Sequence, residues 1–185
     1  MSRKLAFGFL TLALCMLFTG ALTEVLAQNA VTFQVNMSIQ MREAKFNKNT
    51  EFVTVAGTIT LAPLSALKYT LTVNATFTEG AQSSPFTGTI TVTLDKGTNL
   101  KDAKDDIYYA EGGVSGKTYS GTEYSVTISK KLKKFNDYKC IVEGIVTFTN
   151  KSATSTSTKT LDFGNGTKDK KATLTVGTVV KEIDL

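Results

Sequence analysis

The stretch Leu67 to Leu94 reads LKYTLTVNATFTEGAQSSPFTGTITVTL, and two runs within it alternate between apolar and polar residues. An alternation with a period of two places successive side chains on opposite faces of a β-strand. The runs 67–77 and 86–94 are separated by the polar segment 79–85, which contains glycine and proline, so they predict a β-hairpin. The threonines between the apolar residues predict a polar face that is either simply wet or carries a binding surface.

The alternation extends on both sides of this hairpin. Upstream it predicts strands over 31–38 and 53–61, the second ending at Pro63 because proline cannot donate a hydrogen bond to a central ladder. About eight to ten strands with almost no helix indicate an all-β fold, which we predict to be an antiparallel β-sandwich. The downstream strands are expected over 107–110, 124–128, 138–142, 145–149 and 172–176. The predicted core comprises Phe33, Val35, Val55, Leu71, Val92, Val126, Cys140, Val142 and Leu174.

Glycine, lysine and small polar residues predict the connections between these strands. The lysine-rich segment 130–134 is interpreted as a solvated connection, although it could also attract an anionic glycan or a membrane. The run 150–158 is almost entirely Ser, Thr, Lys and Asn, which predicts a mobile loop. The other expected connections are a short helical turn over 41–46 and turns at Gly112-Gly113, Gly116 and Asn165-Gly166.

The N-terminus has the composition of a secretory signal peptide. Met1 to Lys4 is basic, and the apolar run Leu5 to Phe18 is shorter than the ~20 residues of a spanning helix. We predict cleavage after Ala27, which leaves residues 28–185 as a single domain without a transmembrane segment. The expected location is therefore secreted or periplasmic.

The composition also narrows the chemistry. The sequence contains no histidine, which removes the usual general base, the Ser-His-Asp arrangement and the commonest zinc ligand. It also has no Cys-x-x-Cys pair and no glycine loop of the phosphate-binding kind. We therefore predict a protein that is not an enzyme and has no cofactor. The formal net charge of +5 is mild and gives no indication of a nucleic-acid partner.

Two further features have simple interpretations. Cys140 is the one cysteine left after signal cleavage, and its apolar surroundings predict a buried small hydrophobic residue without a disulfide. An acidic segment suggests calcium, but its spacing does not match an EF-hand loop and it also contains lysines. A solvated loop without metal is therefore expected for Asp95, Asp102, Asp105 and Asp106.

The segment Tyr138 to Gly144, YKCIVEG, resembles the signature strand of the starch- and glycogen-binding β-sandwich family. That family includes the glycogen-binding domain of the AMP-activated kinase β subunit. The resemblance implies an immunoglobulin-like β-sandwich in which the hairpin 67–94 is an insertion. Four other segments resemble family segments in the same order along the chain, namely 31–38, 53–57, 100–108 and 172–176.

The resemblance also implies where a sugar would bind. Family members hold α-glucans on exposed tryptophans, assisted by a lysine and an asparagine. The tryptophan positions correspond to Ala62 and Val146, and the asparagine falls near Lys170 or Lys171, whereas Lys139 keeps the family identity. Alanine and valine supply no ring for a sugar face, so the ancestral glucan site is expected to be lost. Restoring the two rings is expected to recover some affinity.

Two hypotheses about function follow. In the first, the chain is a secreted, non-catalytic domain that binds a polysaccharide or another partner through a rebuilt site. Lys139, Tyr138, Tyr108 and Tyr109 are its candidate ligand-binding residues, with Tyr119 as a further tyrosine. In the second, it is a structural or interaction β-sandwich domain of the cell envelope, with a cell-envelope protein as partner and no glycan ligand.

Overall fold

A computed structural model describes residues 29–41, 51–98 and 103–185, which form one ten-stranded antiparallel sheet. Each strand pairs with its neighbours in chain order, so the sheet is a meander. The all-β prediction is confirmed. The predicted signal peptide, and the expected helical turn beyond Met41, lie outside the described residues. The strands are Val31–Met41 (β1), Glu51–Ser65 (β2), Lys68–Glu79 (β3), Gln82–Asp95 (β4), Ile107–Lys117 (β5), Glu123–Phe135 (β6), Glu143–Lys151 (β7), Thr156–Asn165 (β8), Lys171–Val176 (β9) and Val179–Asp184 (β10).

One face of this sheet is buried and the other is polar; we call them the inner and outer faces. On β4, Ile90 and Val92 are fully buried, whereas the intervening Thr91 is half-buried on the outer face. A single hydrophobic cluster contains inner-face side chains from β2 to β9, with Val35 of β1 and Ile183 of β10 packed against it. The described residues include no second sheet and no helix beyond a short 3-10 turn.

The predicted hairpin is confirmed as β3 and β4, but its connection is shorter than expected. Glu79 stands opposite Gln82, so residues 82–85 belong to β4 and not to a loop. Pro85 pairs with β3 but lies one residue beyond the pairing with β5, which begins at Phe86. A proline tolerates this position because one side of its backbone has no partner.

Pro63 likewise does not end its strand. It stands opposite Tyr69 of β3, whereas the pairing of β2 with β1 stops at Leu61. The expectation that β2 ends at Pro63 is therefore wrong. The strand tolerates this proline because it pairs with β3 on one side and is beyond the pairing with β1 on the other. The register with β3 shifts between Pro63 and Ser65, which marks the distortion that the proline introduces.

The segment Tyr138–Val142 is not a strand, contrary to the prediction. Strand β6 continues through the lysine-rich segment as far as Phe135, so residues 136–142 form the connection to β7. The register between β6 and β7 shifts twice between Ile128 and Lys133, and this irregularity displaces the start of β7 to Glu143. Residues 130–134 are consequently a strand and not a solvated connection, and Cys140 is a half-buried free thiol in a loop.

The glycines predicted to form turns lie inside β5. A Cβ atom at Gly112 would meet the carbonyl oxygen of Thr89, and the residue has a φ of +114°, so a side chain is excluded there. The polar run 150–158 is also mostly strand, with a connection of only 152–155 closed by hydrogen bonds between Ser152 and Ser155. The last strand, β10, was not predicted. The expected turn at Asn165-Gly166 is confirmed, with Gly166 at a φ of +102°.

Most of the predicted core is confirmed. Phe33 is the clearest exception, because 43% of its surface is exposed on the edge strand β1, and Cys140 does not belong to the core. The two-sheet arrangement of an immunoglobulin-like sandwich differs from the single sheet with strands in chain order. The predicted core residues that are buried are Val55, Leu71, Val92, Val126 and Val142, and those that pack partly buried against the core are Val35 and Leu174.

Candidate functional site

The four predicted ligand-binding residues lie in two separate places. Tyr108 is 5% exposed and belongs to the inner face of β5, whereas its neighbour Tyr109 belongs to the outer face. Adjacent strand residues point in opposite directions, so these two rings cannot form one platform. Tyr138 and Lys139 lie in the connection between β6 and β7, and Tyr119 is exposed in the turn between β5 and β6.

The connection that contains Tyr138 is held by Lys168. The Lys168 ammonium donates to both carboxylate oxygens of Asp137 at 2.8 Å and lies 4.7 Å from the ring centre of Phe135 and 5.7 Å from that of Tyr138. Such cation–π contacts favour a fixed loop conformation. Partial burial raises the pKa of the Tyr138 hydroxyl. Lys139 is exposed.

The positions that correspond to the family tryptophans do not share a face. Val146 is fully buried on the inner face of β7, whereas Ala62 is half-buried on the outer face of β2. Near the asparagine position, Lys171 is paired with Glu182 at 2.6 Å. A sugar could therefore not contact residues 62 and 146 together. The expectation that two tryptophans at these positions would restore a glucan platform is wrong on this geometry.

The acidic segment before β5 has a structural role. Asp106 is 2% exposed and accepts hydrogen bonds from the Lys96 ammonium at 3.3 Å and the Gly97 amide at 3.1 Å. Asp105 accepts from the Thr98 hydroxyl at 3.1 Å. These bonds close the connection between β4 and β5. Within the part of the chain that the structure describes, no group of acidic or cysteine side chains could hold a metal ion.

A cleft on a different part of the sheet brings polar side chains together. It has a volume of about 510 Å³ and lies where β4, β5, β6 and β7 pass side by side. We call it the β4–β7 cleft. Most of its lining residues belong to the outer face. Phe86, Gly116 and Tyr124 also line the cleft, and they occupy inner-face positions on the same strands. The outer-face residues are Pro85, Thr87, Ser115, Lys117, Glu123, Ser125, Thr149 and Lys151.

The strand register arranges these outer-face residues in two rows. Thr87 stands opposite Ser115, Ser115 opposite Ser125, and Ser125 opposite Thr149, so four hydroxyl side chains cross four strands. Neighbouring strands are ~4.8 Å apart, which is within the reach of one sugar ring. The sequence could not reveal this row, because its members are common strand residues far apart in the chain.

The second row is charged. Glu123 stands between Lys117 of β5 and Lys151 of β7. Among the described residues, none of these three groups takes part in an ion pair, although other lysines of the sheet do, such as Lys130 with Glu143 at 3.1 Å. One carboxylate and two ammonium groups are thus available as hydrogen-bond acceptor and donors for a ligand.

Tyr124 lies between Glu123 and Ser125 on β6, at an inner-face position opposite Gly116 of β5. A Cβ atom at Gly116 would lie 2.5 Å from the Tyr124 hydroxyl oxygen, so the ring covers the glycine of the neighbouring strand. Aromatic side chains protect strand glycines in this way. The buried hydroxyl has no hydrogen-bond partner among the described residues, and burial raises the pKa of Tyr124 to about 12. Tyr124 therefore acts as packing and not as a general acid or base near neutral pH.

Comparison with known proteins gives no match: no family model fits the chain, and no curated protein or solved structure is similar to it. Across residues 29–41, 51–98 and 103–185, no helix is long and apolar enough to cross a membrane. The geometry of the cleft is therefore the main basis for a functional proposal.

Proposed function

We propose that this chain is a secreted, non-catalytic domain that binds a glycan in the β4–β7 cleft. The observation that carries the proposal is the charged row Lys117–Glu123–Lys151 beside a row of hydroxyl side chains in a cleft of about 510 Å³. Small-molecule sites commonly have volumes of roughly 300–1,000 Å³ with a few converging polar groups.

The side chains that line the cleft offer several hydrogen-bond partners for a glycan. Sugars offer closely spaced hydroxyls that both donate and accept, and Glu123 and Lys117 can serve such pairs of hydroxyls. No tryptophan is present in the sequence, and the cleft lining includes no freely exposed aromatic ring. Binding would therefore depend on hydrogen bonds, which compete with water, so the affinity is expected to be modest.

Catalysis is not part of the proposal. Glycoside hydrolysis normally uses two carboxyl groups on either side of the scissile bond. Glu123 is the one carboxylate among the residues that line the cleft. A second carboxyl group for proton transfer is therefore missing from this set, and a binding role is the simpler proposal.

The resemblance of the sequence to the starch- and glycogen-binding family points to the same class of ligand. If the chain descends from starch- and glycogen-binding β-sandwich modules, sugar binding is the ancestral activity, and the cleft is a rebuilt site at a new place. This relationship, including the insertion of the β3–β4 hairpin, is part of the proposal, and it requires that the family's two-sheet sandwich was rearranged into the single sheet seen here. Export through a cleavable signal peptide would bring the domain into contact with extracellular or envelope polysaccharide.

A glycan array probed with the exported chain tests the proposal. Neutral and uronic-acid glycans should both be present, because the charged row has one carboxylate and two ammonium groups. The best glycan should then be titrated by calorimetry into Glu123→Gln and Thr149→Ala, with a loss of about tenfold expected for each removed hydrogen bond. Lys139→Ala is the matched control at the family position and should bind like the unmodified chain. Absence of binding to every glycan would contradict the proposal.

The second candidate is a structural or interaction domain of the cell envelope without a glycan ligand. It is favoured by the hairpin β9–β10, on which Val179 and Val180 are 66% and 65% exposed. Exposed apolar side chains close together can mark a contact with another protein. A domain of this kind would bind nothing on the array and would remain with the envelope when the cells are fractionated.

A further inference from the structure

Strand β1 forms an unusual edge of the sheet. It is 11 residues long, reads VTFQVNMSIQM, and contains neither a charged residue nor a proline. Among the residues that the structure describes, β1 pairs only with β2, so the backbone groups on its other side have no strand partner. Proteins usually protect such edges with charges, prolines or bulges because an exposed edge pairs with other chains.

The opposite edge has the protection that β1 lacks. Strand β10 is six residues long and carries Lys181, Glu182 and Asp184. Charged side chains on an edge strand oppose the approach of a second strand. On β1, in contrast, the inner-face residue Phe33 is 43% exposed, and its outer-face neighbours Gln34 and Asn36 are exposed and uncharged. The contrast between the two edges indicates that β1 is the one that pairs.

We propose that two copies of this chain pair antiparallel through β1, about a two-fold axis that passes through Val35. A two-fold axis perpendicular to the sheet keeps the inner faces of both copies on the same side. Each inner-face residue of β1 must then face an inner-face residue of the second copy, so the numbers of two facing residues are both odd or both even. With the axis at Val35, Phe33 stands opposite Met37 of the second copy. The inner faces then continue from one sheet into the other.

The sequence of β1 complements itself in this register. On the outer face Gln34 stands opposite Asn36 of the second copy, and on the inner face Val35 stands opposite Val35 at the axis. Such cross-strand pairs are the unit of sheet stabilisation, and no like charges meet. The same strand thus supplies both halves of the contact, which favours a second copy over an unrelated partner. In this backbone register, position 31 faces 39, 32 faces 38, 33 faces 37, 34 faces 36, and 35 faces itself.

Two variants with opposite charges test the pairing. In one chain, Q34K and N36K place ammonium groups opposite each other across the axis, and in the other, Q34E and N36E place carboxylates there. Sedimentation velocity of the exported chain should give twice the mass of one chain, and each charged variant should sediment as a monomer. An equimolar mixture of the two variants should regain the dimer, because opposite charges then face each other.

Three controls distinguish pairing through β1 from unfolding of the variants and from pairing through β10. Thermal unfolding should show that both variants are folded, since Gln34 and Asn36 are exposed. The uncharged variant Q34T/N36T should remain a dimer, and V180K on the other edge should have no effect. A monomeric unmodified chain at all concentrations would overturn the proposal. So would charged variants that stay dimeric, or a V180K variant that dissociates.

Discussion

Val142 is fully enclosed although it lies in a connection and not in a strand. Only 1% of its surface is exposed, its amide donates to the Lys133 carbonyl at 3.0 Å, and its carbonyl accepts from the Gly166 amide at 2.8 Å. The backbone bonds fix its position, so the surroundings cannot easily close over a smaller side chain. We expect Val142→Ala to lower the free energy of unfolding by about 1–3 kcal/mol through lost burial and a residual cavity.

Urea denaturation measures this change. Val180→Ala is the matched control, because Val180 is 65% exposed and its substitution should cost less than about 0.5 kcal/mol. Equal effects of the two substitutions would show that Val142 is not enclosed as described.

Tyrosine ionisation should govern stability at alkaline pH. Burial raises the pKa of Tyr69 and of Tyr124 to about 12, above the ordinary value of 10.0. Between these values the unfolded chain loses the phenolic protons and the folded chain keeps them. The stabilisation is therefore fully present below pH 10 and is lost as the pH rises from 10 to 12. Urea midpoints measured across this range should fall.

The variant Tyr124→Phe separates the contribution of Tyr124 to the alkaline loss of stability from that of all other titrating groups. It also removes a buried hydroxyl that has no hydrogen-bond partner within the described part of the chain, so the stability of the variant at pH 8 should be unchanged or higher by up to ~1 kcal/mol. Its midpoint should fall less steeply above pH 10 than that of the unmodified chain. Identical slopes would contradict the assigned burial of Tyr124.

Strand β10 should open more readily than the centre of the sheet. Within the described residues it pairs only with β9, and all its side chains except Ile183 are exposed, whereas β4 has partners on both sides and contains the fully buried Ile90 and Val92. Local opening requires little energy where few apolar groups are buried. Amide hydrogen exchange should be at least about tenfold faster in β10 than in β4. Equal protection of the two strands would contradict this picture.

Individual strands could be predicted from the sequence because their signal is local. The alternation from Leu67 to Leu94 depends on neighbouring residues alone, and the structure confirms it. The segment Tyr138–Val142 alternates equally well and is nevertheless a connection. The difference arises from the irregular register between β6 and β7, which depends on contacts between distant segments and leaves no local pattern.

The order of the strands and the place of the cleft required the structure for the same reason. Whether strands form one sheet or two depends on which strands pair with each other. The alternation of apolar and polar residues shows which side chains share a face but does not show which strands are neighbours. Thr87, Ser115 and Thr149 become neighbours only through the register of four strands. The absence of a histidine, in contrast, can be read directly from the sequence.

At the scale of the whole molecule, maltooligosaccharides should not bind at the family's glucan position. The positions that correspond to the two family tryptophans in the proposed resemblance hold Ala62 and Val146, which lie on opposite faces of the sheet, and Val146 is fully buried. Each lost stacking ring removes roughly 1–3 kcal/mol, by analogy with stacking on nucleic-acid bases. Calorimetry with maltoheptaose should detect no binding that depends on Lys139. Tight binding that is lost in Lys139→Ala would contradict this expectation.

The central claim, a glycan site in the β4–β7 cleft, is tested most directly by backbone amide NMR spectra recorded while the strongest array glycan is added. The account predicts shifts confined to the cleft-lining segments 86–87, 115–117, 123–125 and 149–151. Shifts at Tyr138 and Lys139, with the cleft signals unchanged, would contradict it and place the site where the family has it.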